Sequence, residues 1–170
     1  MPSSSFDKAV AFIRSIGIPV QFHPIAIGSA GEDSFLPGII IENGGILIDT
    51  ATLKYPGDIL HEAGHLAVVP AADRATLNGP AIAQRPDREA EEMMAIAWSY
   101  AACLHLQIDP HFVFHNDGYL KGGGSIVENF NNGHYFGVPM LQWIGLTTEK
   151  KKGLVQDGPL YPAMSKWVRD

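Results

Sequence analysis

Cysteine is all but missing from this chain: Cys103 is the only one in 170 residues. An intrachain disulfide is therefore excluded, and a cytoplasmic location fits, since thiols stay reduced there. Positive charge is also scarce. Lys and Arg number 12 against 18 Asp and Glu, a formal net charge of -6. Binding phosphates needs a basic patch, so this balance argues against a nucleic-acid partner. The one basic run, Lys150 to Lys152, reads as a solvated loop. No apolar run reaches the length of a membrane span, so no membrane partner is expected. The opening MPSSSFDKAVAF is not basic and then apolar, as a signal peptide would be. Gly28 and Gly31 do not make a phosphate loop, because no Lys-Ser or Lys-Thr follows them. Internal repeats, low-complexity segments and a second-domain boundary are lacking too. The length suits one domain over residues 1 to 170, and an apolar content of 46% suffices for a core.

Several local signals organise what is there. Ser3 to Ser5 can cap a first helix carrying Phe6, Ala9, Val10 and Ile13, which Gly17 would stop. Ile18 to Pro24 alternates like a strand. Ile27 to Gly38, with its glycines, Pro37 and acids, reads as a loop. GIIIE (38 to 42) and GILID (45 to 49) flank Asn43-Gly44, the strongest short hairpin signal. A helix follows, with Pro56 in its first turn, Asp58 at its positive end and a stop at Pro70. Ala71 to Pro86 shows no clear period. From Asp87, as a cap, DREAEEMMAIAWSYAACLHL is polar for one turn and then apolar all round, as a central helix would be. Further on, Phe112 to His115 suits a short strand. Ser125 and Glu128 form a capping box before a short helix. Pro139 can start another helix through Trp143, and Pro162 a last turn.

The chemistry lies in HEAGH, residues 61 to 65. On a helix, His61 and His65 are one turn apart on one face. Two neutral imidazoles so placed can bind one Zn²⁺. Glu62 points beside the pair, where it can take a proton from water without ligating the metal. This is the H-E-x-x-H pattern of metal-dependent peptidases. The helix is apolar on nearly every side, so its polar residues need partners. A catalytic site needs a third protein ligand. The Gly and His that metzincins place after the second histidine are missing, since Leu66 to Pro70 follow. A carboxylate from the helix beginning near Asp87 is the remaining usual solution. Glu92 is preferred, because it shares a face with the small or apolar Ala95, Ile96, Ser99 and Cys103. Glu91 is a competitor on the face of Met94, Ala95, Trp98 and Ala102, and Glu89 lies nearer the polar start. A donor to the developing oxyanion is also expected. His115, Tyr119, His134 and Tyr135 are the candidates, with His134 and Tyr135 ranked ahead. Cys103 on a buried helix side reads as packing.

The sequence from the first helix through FLPGIIIENGGILID, HEAGHLAVV and EEMMAIAWSYAA resembles the ImmA/IrrE-type metallopeptidase domains over roughly residues 13 to 104. The resemblance implies a gluzincin-like α+β fold, with a short mixed or antiparallel sheet, a hairpin packed on the H-E-x-x-H helix and a second central helix. It implies His61 and His65 as zinc ligands, Glu62 as base, and an acidic helix start that aligns best through Glu92. It also implies cleavage of a regulator protein. The chain departs from many relatives in having no helix-turn-helix module, and residues after His105 match no part of the family. The expected function is a metallopeptidase with one Zn²⁺ acting on a peptide or protein. A regulatory binding module with a structural metal site is the alternative, and a non-peptidase amide hydrolase uses the same water chemistry.

Overall fold

A computed structural model describes residues 4 to 26, 36 to 151 and 157 to 170. The loop expected at Ile27 to Gly38 lies largely outside them, as does Lys152 of the basic run. The fold is α+β, with seven α-helices and one three-stranded mixed sheet among the described residues.

Helix α1 (Ser5–Ser15) starts on Ser4, whose hydroxyl accepts from the Asp7 amide while Asp7 reaches back to the Ser4 amide. It leads into β1 (Val20–Phe22), β2 (Ile39–Glu42) and β3 (Gly45–Ile48), arranged in the order β1-β3-β2. The first pair is parallel and the second antiparallel, with Glu42 opposite Gly45 across the turn. Asn43 and Gly44 have φ of 48° and 73°, the left-handed pair that a two-residue hairpin needs. A side chain at Gly44 would also strike the Arg74 carbonyl, so the turn is wedged against α3 (Ala71–Arg74). Val20, Ile39, Ile41, Ile46 and Ile48 are buried beneath the helices.

Helix α2 (Asp58–Val68) carries HEAGH and lies against α5 (Arg88–Leu106), the second central helix. Gly64 makes this contact possible. A Cβ there would stand 3.0 Å from the Ala95 carbonyl oxygen and 3.3 Å from its Cβ, so two small residues let the helices approach. Before Pro70 the chain turns extended at Val69, which ends α2.

Three local expectations are corrected. Ala71 to Pro86 holds two short helices, α3 and α4 (Gly79–Ala83). Phe112 to His115 is not a strand: Pro110–Phe112 forms a 3-10 turn, because Asp109 caps it by accepting from the His111 amide. Ser125 is no cap, since α6 (Gly123–Asn131) is already helical two residues earlier and Gly122 holds the cap position. Pro162 lies in a turn closed by the Ala163 amide on the Leu160 carbonyl at 2.9 Å, and its bond to Tyr161 is cis. Asp87 does sit at the cap of α5 but makes no side-chain cap bond.

The C-terminal third belongs to the same core. Phe114, Val127, Phe130, Leu141 and Leu146 are buried with α2 and α5, and α7 (Val138–Trp143) adds to that layer. Among the bonds that strap the tail on are Trp98 Nε1 to the Trp167 carbonyl at 2.8 Å, the Tyr161 hydroxyl to the Ala97 carbonyl at 2.7 Å, and the Arg169 amide to the Ala67 carbonyl at 2.9 Å. No helix among the described residues is long and apolar enough to cross a membrane.

Candidate metal centre

His61, His65 and Glu92 converge where α2 crosses α5. His65 Nε2 lies 3.1 Å from His61 Nε2. Glu92 places Oε2 2.9 Å from His65 Nε2 and Oε1 3.4 Å from His61 Nε2. A tetrahedral zinc with bonds of ~2.0–2.2 Å holds neighbouring ligand atoms about 3.3–3.5 Å apart. The triangle of donors is therefore close to the size that one such ion needs. Two imidazole nitrogens and one carboxylate oxygen, with a side open to a cleft, are also a suitable set for it.

Glu92, and not Glu91, reaches the histidines. Glu92 precedes Ala95 by nearly one turn, and Ala95 is the residue on which Gly64 rests. The helices come closest there, and of the two neighbouring acids Glu92 is the one on the HEAGH side. Glu91 is turned by one residue into the protein. It is buried and bound by Arg85 Nε at 2.9 and 2.8 Å, while Arg85 also reaches Asp73 at 3.2 Å. Glu89 lines the same cleft but is exposed at its margin.

Electrostatics follow from burial and these contacts. Burial opposes the charge on Glu92, yet hydrogen bonds from His61 and His65 outweigh it and hold its carboxyl well below the usual range. Burial likewise disfavours charge on His61, but Glu92 draws its pKa upward. Glu62 is buried beside the pair, and desolvation raises its pKa against the pull of His65 and His61. Its greater proton affinity suits a general base.

The cleft above these residues encloses about 950 Å³. Its opposite wall is the segment 115 to 120. His115 Nε2–H donates to Asp58 at 2.8 Å and its ring stacks on Tyr55 at 4.1 Å. Tyr55 in turn donates its hydroxyl to Asp117 at 2.8 Å. Burial pushes the Asp58 pKa up, and His115 partly offsets it. Tyr119 sets its ring edge-on to His61 at 5.6 Å. Burial and the carboxyls of Asp58, Glu92 and Glu62 hold the Tyr119 hydroxyl far above its ordinary pKa, so it stays protonated. Gly57 brings this wall into place, because a Cβ there would overlap the Phe112 carbonyl and only glycine admits the contact.

His134 and Tyr135, ranked first as oxyanion donors, do not line the cleft. Tyr135 packs on Phe130 and Tyr161, and the His134 amide closes the end of α6 on Asn129. Their place is taken by the other two candidates, His115 and Tyr119. Asp58, read from the sequence only as an acid at the positive end of the helix, also lines the cleft, as do Tyr55 and Leu120. Asp58 carried a signal: it precedes His61 by three residues and Glu62 by four, on the site face of α2. Cys103 is buried and its thiol is pushed up to about 12 by desolvation, so it is a packing residue. Compared with family models, with curated proteins and with solved structures, the chain matches none.

Proposed function

We propose that this chain is a small zinc-dependent hydrolase, a metallopeptidase that cleaves a peptide or protein substrate. The observation that carries the reading is the His61–His65–Glu92 triangle with Glu62 buried beside it at the floor of a cleft. Its resemblance to ImmA/IrrE-type domains supports the same reading, including a regulator protein as the class of substrate. Two histidines and one carboxylate favour zinc over harder cations. The single cysteine is in keeping with a cytoplasmic enzyme.

When bound, the zinc ion supplies a Lewis acid and lowers the pKa of its water toward ~7. The rest falls to the chain. Glu62 takes a proton from the attacking water and returns it to the leaving amine. Tyr119, kept protonated, donates to the carbonyl oxygen as its negative charge develops. The rings of Phe114 and His61 pack on Tyr119, so the donor is held in place before substrate arrives, while Asp58 and Tyr55 fix His115 in the same wall.

Metal analysis of the protein beside its Glu62→Gln variant, with a peptide-library assay, tests this. The expected result is about one zinc per chain in both and cleavage by the parent alone. A protein that takes up no zinc at neutral pH defeats the reading. Strong thermal stabilisation by zinc with no peptide cut would instead favour a regulatory module with a structural metal.

A further inference from the structure

Leu120 is 99% exposed, the most exposed large apolar side chain among the described residues. It stands at the lip of the cleft, and its backbone is unusual. Tyr119, Leu120 and Lys121 have φ of 55°, 53° and 65°, three successive left-handed residues with none of them glycine. For a residue with a Cβ this conformation costs free energy. An exposed loop would ordinarily relax it, yet here the surroundings enforce it. Tyr119 is pinned inward on Phe114 and His61. The Lys121 amide bonds the Gly118 carbonyl and the Gly122 amide the Tyr119 carbonyl. Gly123 presses on the carbonyls of Phe114 and His115, where any Cβ would collide. With Tyr119 directed at the metal centre, Leu120 is carried outward at the cleft mouth.

Other apolar side chains share the cleft with it. Leu36 and Ile82 line it half-buried, and Met93, next to Glu92, is 38% exposed. The charges there are mainly acidic. Asp58 and Asp117 are already bonded to His115 and Tyr55, and Glu89 is exposed at the margin. Arg88 is the one cation among the lining residues and donates to the Ala83 carbonyl at 3.3 Å. An apolar side chain entering the cleft would leave water for the apolar surface of Leu120, Leu36, Ile82 and Met93, whereas a carboxylate would meet acids and lose its hydration.

We propose that the cleft is a subsite for one large apolar side chain of an extended peptide, next to the bond presented to the metal centre, and that Leu120 selects it. The inference rests on the hydrolytic reading for the peptide character of the ligand. Leu120 is a specificity residue and takes no part in the proton transfers.

The test uses zinc-loaded Glu62→Gln protein, in which peptide stays uncut, and short Ala/Gly peptides bearing a single central Leu, Ala or Asp. Affinities are read by fluorescence anisotropy. The Leu peptide is expected to bind about tenfold more tightly than the Ala peptide, with Asp weakest. Leu120→Ala in the same background should remove most of the Leu-over-Ala preference and leave the zinc content and melting temperature unchanged. Equal affinities, no binding at all, or a preference untouched by Leu120→Ala would each overturn the subsite. If the preference is present but the parent protein cuts none of these peptides, the subsite stands and the hydrolytic reading falls.

Discussion

Glu91 and Glu92 are adjacent, identical in chemistry and opposite in surroundings, so the same substitution at each separates metal binding from packing. Glu92 is half-buried and touches only the two histidines among its ionic partners. In metal-free protein, Glu92→Gln should change stability by less than about 1 kcal/mol, as for an exposed ion pair. The cost appears with zinc. At free zinc one hundredfold above Kd, the parent gains about 2.7 kcal/mol. For a chain of 170 residues that is a rise of about 5–11 °C in Tm. If Glu92→Gln weakens zinc by about one hundredfold, the same concentration gives only about 0.4 kcal/mol, or about 1–2 °C. Glu91→Gln should behave in reverse. Breaking a buried pair costs ~3–5 kcal/mol, and the second contact of Arg85 with Asp73 reduces this to about 2–3 kcal/mol. The metal-free protein should then melt about 4–12 °C lower, with the zinc increment intact. Thermal unfolding followed by circular dichroism, in chelator and in buffered zinc, reads both quantities. A full zinc increment in Glu92→Gln, or its loss in Glu91→Gln, would refute the assignment of the third ligand.

Two further outcomes follow from the burial of the site. The raised pKa of Glu62 means that the folded state holds its proton more tightly than the unfolded chain. Its burial penalty is absent below the unfolded carboxyl pKa of about 4.3 and grows as pH rises through that value toward the folded pKa. Glu62→Gln should therefore stabilise the metal-free protein at pH 7 but not at pH 4, judged by urea midpoints in chelator. An equal effect at both pH values would show that ionisation is not what the site resists. Tyr119→Phe should lower kcat about 10- to 1000-fold with zinc still bound, while His134→Ala and Tyr135→Phe leave it unchanged in steady-state assays on one peptide. A loss of kcat in His134→Ala equal to that in Tyr119→Phe would contradict the cleft geometry.

What could be read from the sequence was local chemistry with one dominant solution. Asn43-Gly44 has few uses besides a tight hairpin, and Pro70 leaves α2 nowhere to continue. The parts that misled are those in which tertiary contact overrides a local signal. Ser125 and Glu128 have the spacing of a capping box, yet Gly123 must fit beneath the Phe114 and His115 carbonyls, and the helix begins there. α3 and α4 have four and five residues, too few for a period to emerge. The oxyanion candidates show the same limit. His115 and Tyr119 differ from His134 and Tyr135 by which segment meets α2, and that depends on Gly57 lying against Phe112, a contact across more than fifty residues.

The choice between Glu91 and Glu92 lies between these cases. Helical geometry alone turns the two side chains about 100° apart but does not say which faces α2. Ala95 lies within about one turn of both, three residues after Glu92 and four after Glu91, so it does not choose between them. What separates them is packing: Arg85 holds Glu91 inside, and Gly64, the fourth residue of HEAGH, lets α2 lie close enough for Glu92 to reach its histidines. Gly64 contributes neither a ligand nor a base. It brings the backbone of α2 within reach of Ala95, and so brings Glu92 to His61 and His65. In this chain the spacing within H-E-A-G-H sets two of the donor positions, and its glycine determines how the third arrives.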